Sequence, residues 1–172
     1  MRQSSIARTS LLAVAVMLAA ITGYAQSPAA TAAGKINGAT ITIKYASPSV
    51  KGRKIWGGLV PYDKVWRAGA NEATILETDK DILVEGKQLT KGKYSLYAIP
   101  GESEWSIILN SETGQWGIKR SGETTRDPAK DVAVVKVKAM KSASMNEALA
   151  YVVTDKGIAL RWENLEVPVA VK

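Results

Sequence analysis

Ala39-Thr40-Ile41-Thr42-Ile43-Lys44-Tyr45 alternates without a break: Ala39, Ile41, Ile43 and Tyr45 fall on one set of positions, Thr40, Thr42 and Lys44 on the other. Successive side chains of a strand point to opposite faces, so this two-residue period predicts a half-buried β-strand, which Ser47-Pro48 closes. The pattern spreads from there along the chain. Strands are expected over residues 72–78 and 81–85, with Gly86 in the tight connection from Ile82-Leu83-Val84 to Lys87-Gln88-Leu89. After the Lys91-Gly92 turn come Tyr94 to Ile99, ended by Pro100-Gly101, and then a strand with Trp105, Ile107 and Leu109 on one face. Val132 to Val137, Leu149 to Val153, Ile158 to Trp162 and Val167 to Val171 follow, with Asp155-Lys156-Gly157 joining the two before the last. About nine or ten short strands separated by glycine turns predict an all-β fold, a β-sandwich or jelly-roll-like single domain with little helix. Single helical turns are expected at most over residues 63–68 and 141–147. Residues 117–130 form the longest irregular stretch, a flexible flap or a covering loop.

Composition narrows the chemistry. Of 172 residues, 46% are apolar and 23% charged, the balance of a soluble globular chain. There is no cysteine and no histidine. That excludes disulfides, thiol catalysis, thiolate or imidazole metal sites and Ser-His-Asp triads, and no cofactor or metal motif is present. Phenylalanine is also missing, so five tryptophans and six tyrosines carry the aromatic packing.

Residues 1–25 read as a secretory signal peptide. Arg2 and Arg8 supply the positive start, Leu11 to Ile21 an apolar run, and Gly23-Tyr24-Ala25 the small residues before a cut at Gln26. The apolar run is well short of the roughly 20 residues that span a bilayer, and no segment of the mature chain is long and apolar enough to do so. Cleavage near Ala25-Gln26 therefore predicts a periplasmic or extracellular protein. Residues 26–34 are small and read as a flexible linker, leaving 35–172 as the domain. Without the leader the chain carries 21 basic and 16 acidic residues. Export argues against nucleic acid as a partner. Lys51, Arg53 and Lys54 form a small basic cluster suited to an anionic ligand or envelope polymer, but a solvated loop is the better account of it.

The densest constellation runs from Gly52 to Glu72, with Trp56, Trp66, Arg67, Asn71 and Glu72 among closely spaced glycines. Together with Ser47 to Tyr62, Val65 to Thr74, Lys91 to Gly101, Glu104-Trp105, Gln115-Trp116-Gly117 and Leu160 to Asn164, it resembles the DUF2911 family of exported, Bacteroidetes-type bacterial proteins. The resemblance covers about residues 40–171 and is most specific in Trp66-Arg67-Ala68-Gly69-Ala70-Asn71-Glu72. Residues 118–130 depart from it, being longer and more basic. The resemblance implies an extracytoplasmic β-rich domain and no particular reaction.

The chemistry is then read from the side chains. Arg67 offers a planar fork for a carboxylate, a phosphate or a pair of sugar hydroxyls. Asn71 donates and accepts, Glu72 accepts, and tryptophans stack on flat apolar faces. Trp56, Trp66, Arg67, Asn71, Glu72, Trp116 and Glu163 are the candidate ligand-binding residues, whereas Trp105 and Trp162 read as core. Three functions fit. One is a binding module holding a small polar or saccharide-like ligand in a Trp/Arg-lined cleft. Another is a carboxylate-dependent hydrolase or lyase of glycosidase type, with Glu72 and Glu163 as the acid pair. The third is a purely structural envelope protein in which Arg67 pairs with Glu72 or Glu163 to hold the loop down, and no such cleft exists.

Overall fold

The structure, a computed structural model, describes residues 26–172; the expected leader lies outside the described residues. In chain order the strands are β1 (Ala29–Ile36), β2 (Ala39–Ala46), β3 (Thr74–Thr78), β4 (Ile82–Val84), β5 (Lys87–Leu89), β6 (Gly92–Ile99), β7 (Glu104–Asn110), β8 (Asp131–Lys138), β9 (Met140–Thr154) and β10 (Gly157–Ala170). Six of them pair antiparallel in the order β1-β2-β3-β6-β7-β8, and the long β9-β10 hairpin lies across that sheet. Pro128–Lys130 makes one 3-10 turn, the sole helical element among the described residues. The all-β, sandwich-like expectation holds.

Alternation does what the sequence promises. Ile41 and Ile43 of β2 are fully buried, with Leu76, Leu96, Ile107, Leu109 and Val135 beside them on the inner face. Tyr151, Ile158, Leu160, Val167 and Val169 of the hairpin press against that face. The other side of the sheet carries a smaller core, where Tyr97 and Ile108 pack with Ala73 under Val65 and Ile99.

Three local expectations are corrected. Residues 29–34 of the supposed linker belong to an edge strand, β1, which pairs with β2 over its whole length. The turn is Asn37-Gly38, both at positive φ (48° and 79°), the pair that two-residue hairpins favour. Small residues suit this strand because it packs close to β9: a Cβ on Gly34 would stand 2.8 Å from Val153 Cγ1. Residues 141–147 are not a helical turn but part of β9. Finally, the two expected strands at 158–162 and 167–171 are largely one: β10 runs continuously from Gly157 to Ala170. Register shifts lie between Arg161 and Glu163 and between Glu163 and Leu165, where extra β9 residues bulge out.

Candidate functional site

Between β2 and β3 the chain makes a long excursion, residues 47–73, whose path follows from unpaired backbone on either side. β3 begins at Thr74 opposite Leu96, so the next residues of β6 need another neighbour. Trp66 supplies it, exchanging two backbone hydrogen bonds with Ala98 (2.7 and 2.9 Å), while Asp63 N–H donates to Pro100 O at 2.8 Å. The start of the excursion is sewn into the β9 bulge. Ser47 Oγ donates to Leu149 O (2.6 Å), Val50 N–H to Glu147 O (2.7 Å) and Leu149 N–H to Pro48 O (2.9 Å). Between these anchors a tight turn, closed by Val60 N–H to Ile55 O at 2.9 Å, brings Ile55 and Trp56 into the core.

There the excursion completes a cluster of four tryptophans. Trp105 comes from β7 and Trp162 from β10. Trp56 meets Trp105, Trp162 and Trp66 edge to face at centroid distances of 4.9, 5.7 and 5.9 Å. Trp66 and Trp162 stack, 18° apart in plane and 6.0 Å between centroids. Such pairs add about 0.5–1.5 kcal/mol each beyond the area they bury. Trp66 Nε1–H donates to Gly69 O at 3.1 Å. The Nε1–H groups of Trp56, Trp105 and Trp162 are buried without a nitrogen or oxygen acceptor among the described residues.

Two non-glycine residues then take left-handed backbone, Ala68 (φ 53°) and Asn71 (φ 56°). Ala68 is fully buried, and its carbonyl accepts from Tyr151 Oη (2.8 Å) and Thr74 Oγ1 (3.0 Å). Such a conformation stores about 1–3 kcal/mol, held here by those two bonds. It also divides the constellation: Trp66 and Arg67 face one way, Asn71 and Glu72 another.

Trp66 and Trp162 wall a cleft of about 320 Å3, with Leu59 and Ile118 extending its apolar lining. Arg53 and Arg67 line it too, and no aspartate or glutamate does. Its remaining wall is a small hairpin formed by the stretch expected to be a flap or cover. Ile118 bridges Thr124, Lys119 N–H donates to Glu123 O (2.7 Å), and Thr125 N–H to Gly117 O (3.2 Å). An ion pair at its base steadies it: Asp131 accepts from Arg126 and, at 2.8 Å, from Asn110 Nδ2.

Arg67 is half-buried and, among the described residues, forms no ion pair. Its Nη1–H donates to Trp116 O at 3.4 Å, and its stem lies on Gly117, where a Cβ would stand 3.0 Å from Arg67 Cβ and Cδ. Burial pulls its pKa below the usual guanidinium range, and the charge of Glu72 acts against that shift. Arg53 is committed differently: Nε donates to Val50 O (3.1 Å) and Nη2 to Ser49 O (2.5 Å).

Of the seven candidates, Trp66 and Arg67 line the cleft. Trp56 is buried behind them in the aromatic cluster. Trp116 is 45% exposed and offers its carbonyl to Arg67. Asn71 Nδ2 donates to Ser27 O at 2.8 Å, tying down the chain ahead of β1, and exposed Glu72 borders a separate hollow beside Ala30 and Lys44. Glu163 sits at the β10 bulge (φ 54°) and accepts from Asn164 Nδ2 at 2.9 Å. Three parts of the cleft lining were not among the candidates: Arg53, read as a solvated loop, Trp162, read as core and indeed buried there, and the 118–124 wall. Arg53 stood inside the dense constellation, which was the available signal. Among the described residues no three carboxylates gather to hold a cation.

No curated protein and no solved structure matches the chain. The turns that carry Trp56, Trp66 and Arg67, the wall at Gly117 and the Trp162 bulge all fall within residues 27–171, the span matched by the profile of DUF2911, a protein family of unknown function, and the chain belongs to that family.

Proposed function

We propose that the domain is an exported binding module that holds a small polar ligand in the Trp66-Arg67 cleft. One observation carries this reading: half-buried Arg67, which makes no salt bridge among the described residues and feels only the more distant charge of Glu72, lines a concave space beside a tryptophan pair. Burying a charge without a counter-ion is unfavourable, so a chain that keeps one there gains from something other than stability. The cleft is at the small end of ligand sites, about 300–1,000 Å3, which suits a ligand of monosaccharide size. A hydrolase of glycosidase type needs two carboxyls at the scissile bond, and the lining residues supply none. The leader read in residues 1–25 supports a site facing the periplasm or the exterior.

The test is a ligand screen read at the indole N–H signals of the five tryptophans, one of which belongs to Trp66. A binder is expected to shift the Trp66 signal strongly and to raise the melting temperature. A broad panel of sugars and small acids that moves no cleft signal at millimolar concentration overturns the reading. Mass analysis of the exported protein is expected to show a chain beginning at or near Gln26.

A further inference from the structure

Resting on that binding reading, we propose that the cleft grips its ligand by a carboxylate, taken side-on by the Nε/Nη2 edge of Arg67. The hydrogen bonds of the two arginines carry the argument. Arg67 uses Nη1 on the Trp116 carbonyl, and its Nε and Nη2 donate to nothing among the described residues. Those two N–H groups point in parallel from one edge of the planar guanidinium, which is the spacing of two carboxylate oxygens. Arg53 is the complement: its Nε and Nη2 are taken by the Val50 and Ser49 carbonyls, so it adds positive field to the cleft rather than a second such edge.

The lining excludes the other obvious guests by charge and by donor count. With two guanidiniums and no acidic side chain on its surface, the cleft repels cations and leaves an unmet positive charge under a neutral ligand. A sugar hydroxyl pair accepts from the fork but brings no counter-charge, whereas a carboxylate supplies both the two acceptors and the charge. A phosphate has a third oxygen to satisfy, and the cleft has one unclaimed fork edge. The same lining includes Trp66, Leu59 and Ile118, an apolar bed. The ligand is therefore a small acid with a ring or apolar body, an acidic sugar or an aromatic acid.

Matched pairs test this on the purified protein: glucuronate against glucose, benzoate against benzamide, with inorganic phosphate alongside. Binding is read at the Trp66 indole N–H and the Arg67 Nε–H signals. The acid of at least one pair is expected to bind at least about tenfold tighter than its neutral partner, the lower scale for a hydrogen bond to a charged group. Arg67→Lys keeps the charge and loses the fork, and is expected to remove most of that difference while the melting temperature holds. Should Arg67→Lys fail to fold, the wild-type acid-to-neutral ratio alone decides. Equal binding of both members of each pair overturns the carboxylate inference and leaves the binding module standing. Phosphate tighter than either acid, and unchanged in Arg67→Lys, means a point-charge anion site and overturns it as well. Silence of Trp66 and Arg67 toward every compound removes both readings together.

Discussion

Replacing Arg67 with alanine separates a guanidinium that holds the fold from one held by it. The structure allows the loss to be sized. The Nη1–Trp116 hydrogen bond is long, at 3.4 Å, and exposed, so its removal costs about 0.5 kcal/mol, the weak end for such bonds. Alanine keeps Cβ and loses the Cγ and Cδ methylenes of the stem, of which Cδ lies beside Gly117; at about 0.8 kcal/mol each when fully buried, half burial makes them worth roughly 0.8 kcal/mol. Removing an unpaired, half-buried charge works in the opposite direction. The net change is expected to stay within about 1 kcal/mol, or roughly 2–4 °C in melting temperature for a domain of this size. A guanidinium in a buried ion pair behaves otherwise: its removal strands an acid and costs about 3–5 kcal/mol. Urea unfolding and thermal melts of wild type and Arg67→Ala, without ligand, distinguish the two. A loss of about 3 kcal/mol or more refutes the reasoning, because no contact in the structure accounts for it.

Three further outcomes follow from the same geometry. Gly117→Ala places a methyl 3.0 Å from the Arg67 stem on backbone at φ 87°, so it is expected to displace Arg67 and weaken ligand binding; unchanged binding argues against Arg67 as the anchor. Burial, with Tyr45 adding to it, pushes the Tyr151 phenol above its ordinary range. Its contribution is present below the unfolded pKa of about 10 and is lost as pH rises beyond it, so the wild type is expected to lose stability there faster than Tyr151→Phe. Parallel loss in both proteins contradicts this, and the variant itself is expected to cost about 0.5–1.5 kcal/mol at neutral pH through the lost bond to Ala68 O. For Asp131, burial raises the carboxyl pKa, but hydrogen bonds from Arg126 and Asn110 and the charge of Arg126 outweigh it and hold the group below the ordinary carboxylate range. That contribution is present above the unfolded pKa of about 3.9 and is lost as pH falls through the folded value, so Asp131→Asn is expected to flatten the acid limb of the stability curve.

β2 and β8 were legible because one face is more deeply buried than the other, and a two-residue period records that directly. β6 and β7 are buried on both faces and lie close to where their apolar runs and bounding turns put them. β1 escaped because its alanines and glycine resemble a linker; their smallness reflects the approach of β9, a fact of tertiary packing. Asn37-Gly38 was the local clue. The first half of β9 escaped for another reason: its bulges break the period that would have revealed it. At the site, the density of unusual residues drew attention to Trp66 and Arg67, which line the cleft. It also suggested that Asn71 and Glu72 belong with them, because adjacency in sequence looks like adjacency in space. Left-handed backbone at Ala68 and Asn71 undoes that, and bonds to Tyr151 and Thr74 impose the Ala68 conformation from outside the segment.

The tryptophan cluster gives the protein a built-in optical signal. Indole rings 4.9 to 6.4 Å apart, one pair stacked and the others at steep mutual angles, couple their electronic transitions, so the excited state is shared among them rather than belonging to one ring. Sharing produces paired circular-dichroism bands of opposite sign where an ordinary β-protein is almost featureless. The contributing rings come from the excursion, from β7 and from β10, so the bands arise only once all three have closed on one another. The same absorbing group then borders the cleft through Trp66 and Trp162. A molecule settling against it would change the coupling, so the unlabelled protein is expected to register both its own closure and any guest in a single spectrum.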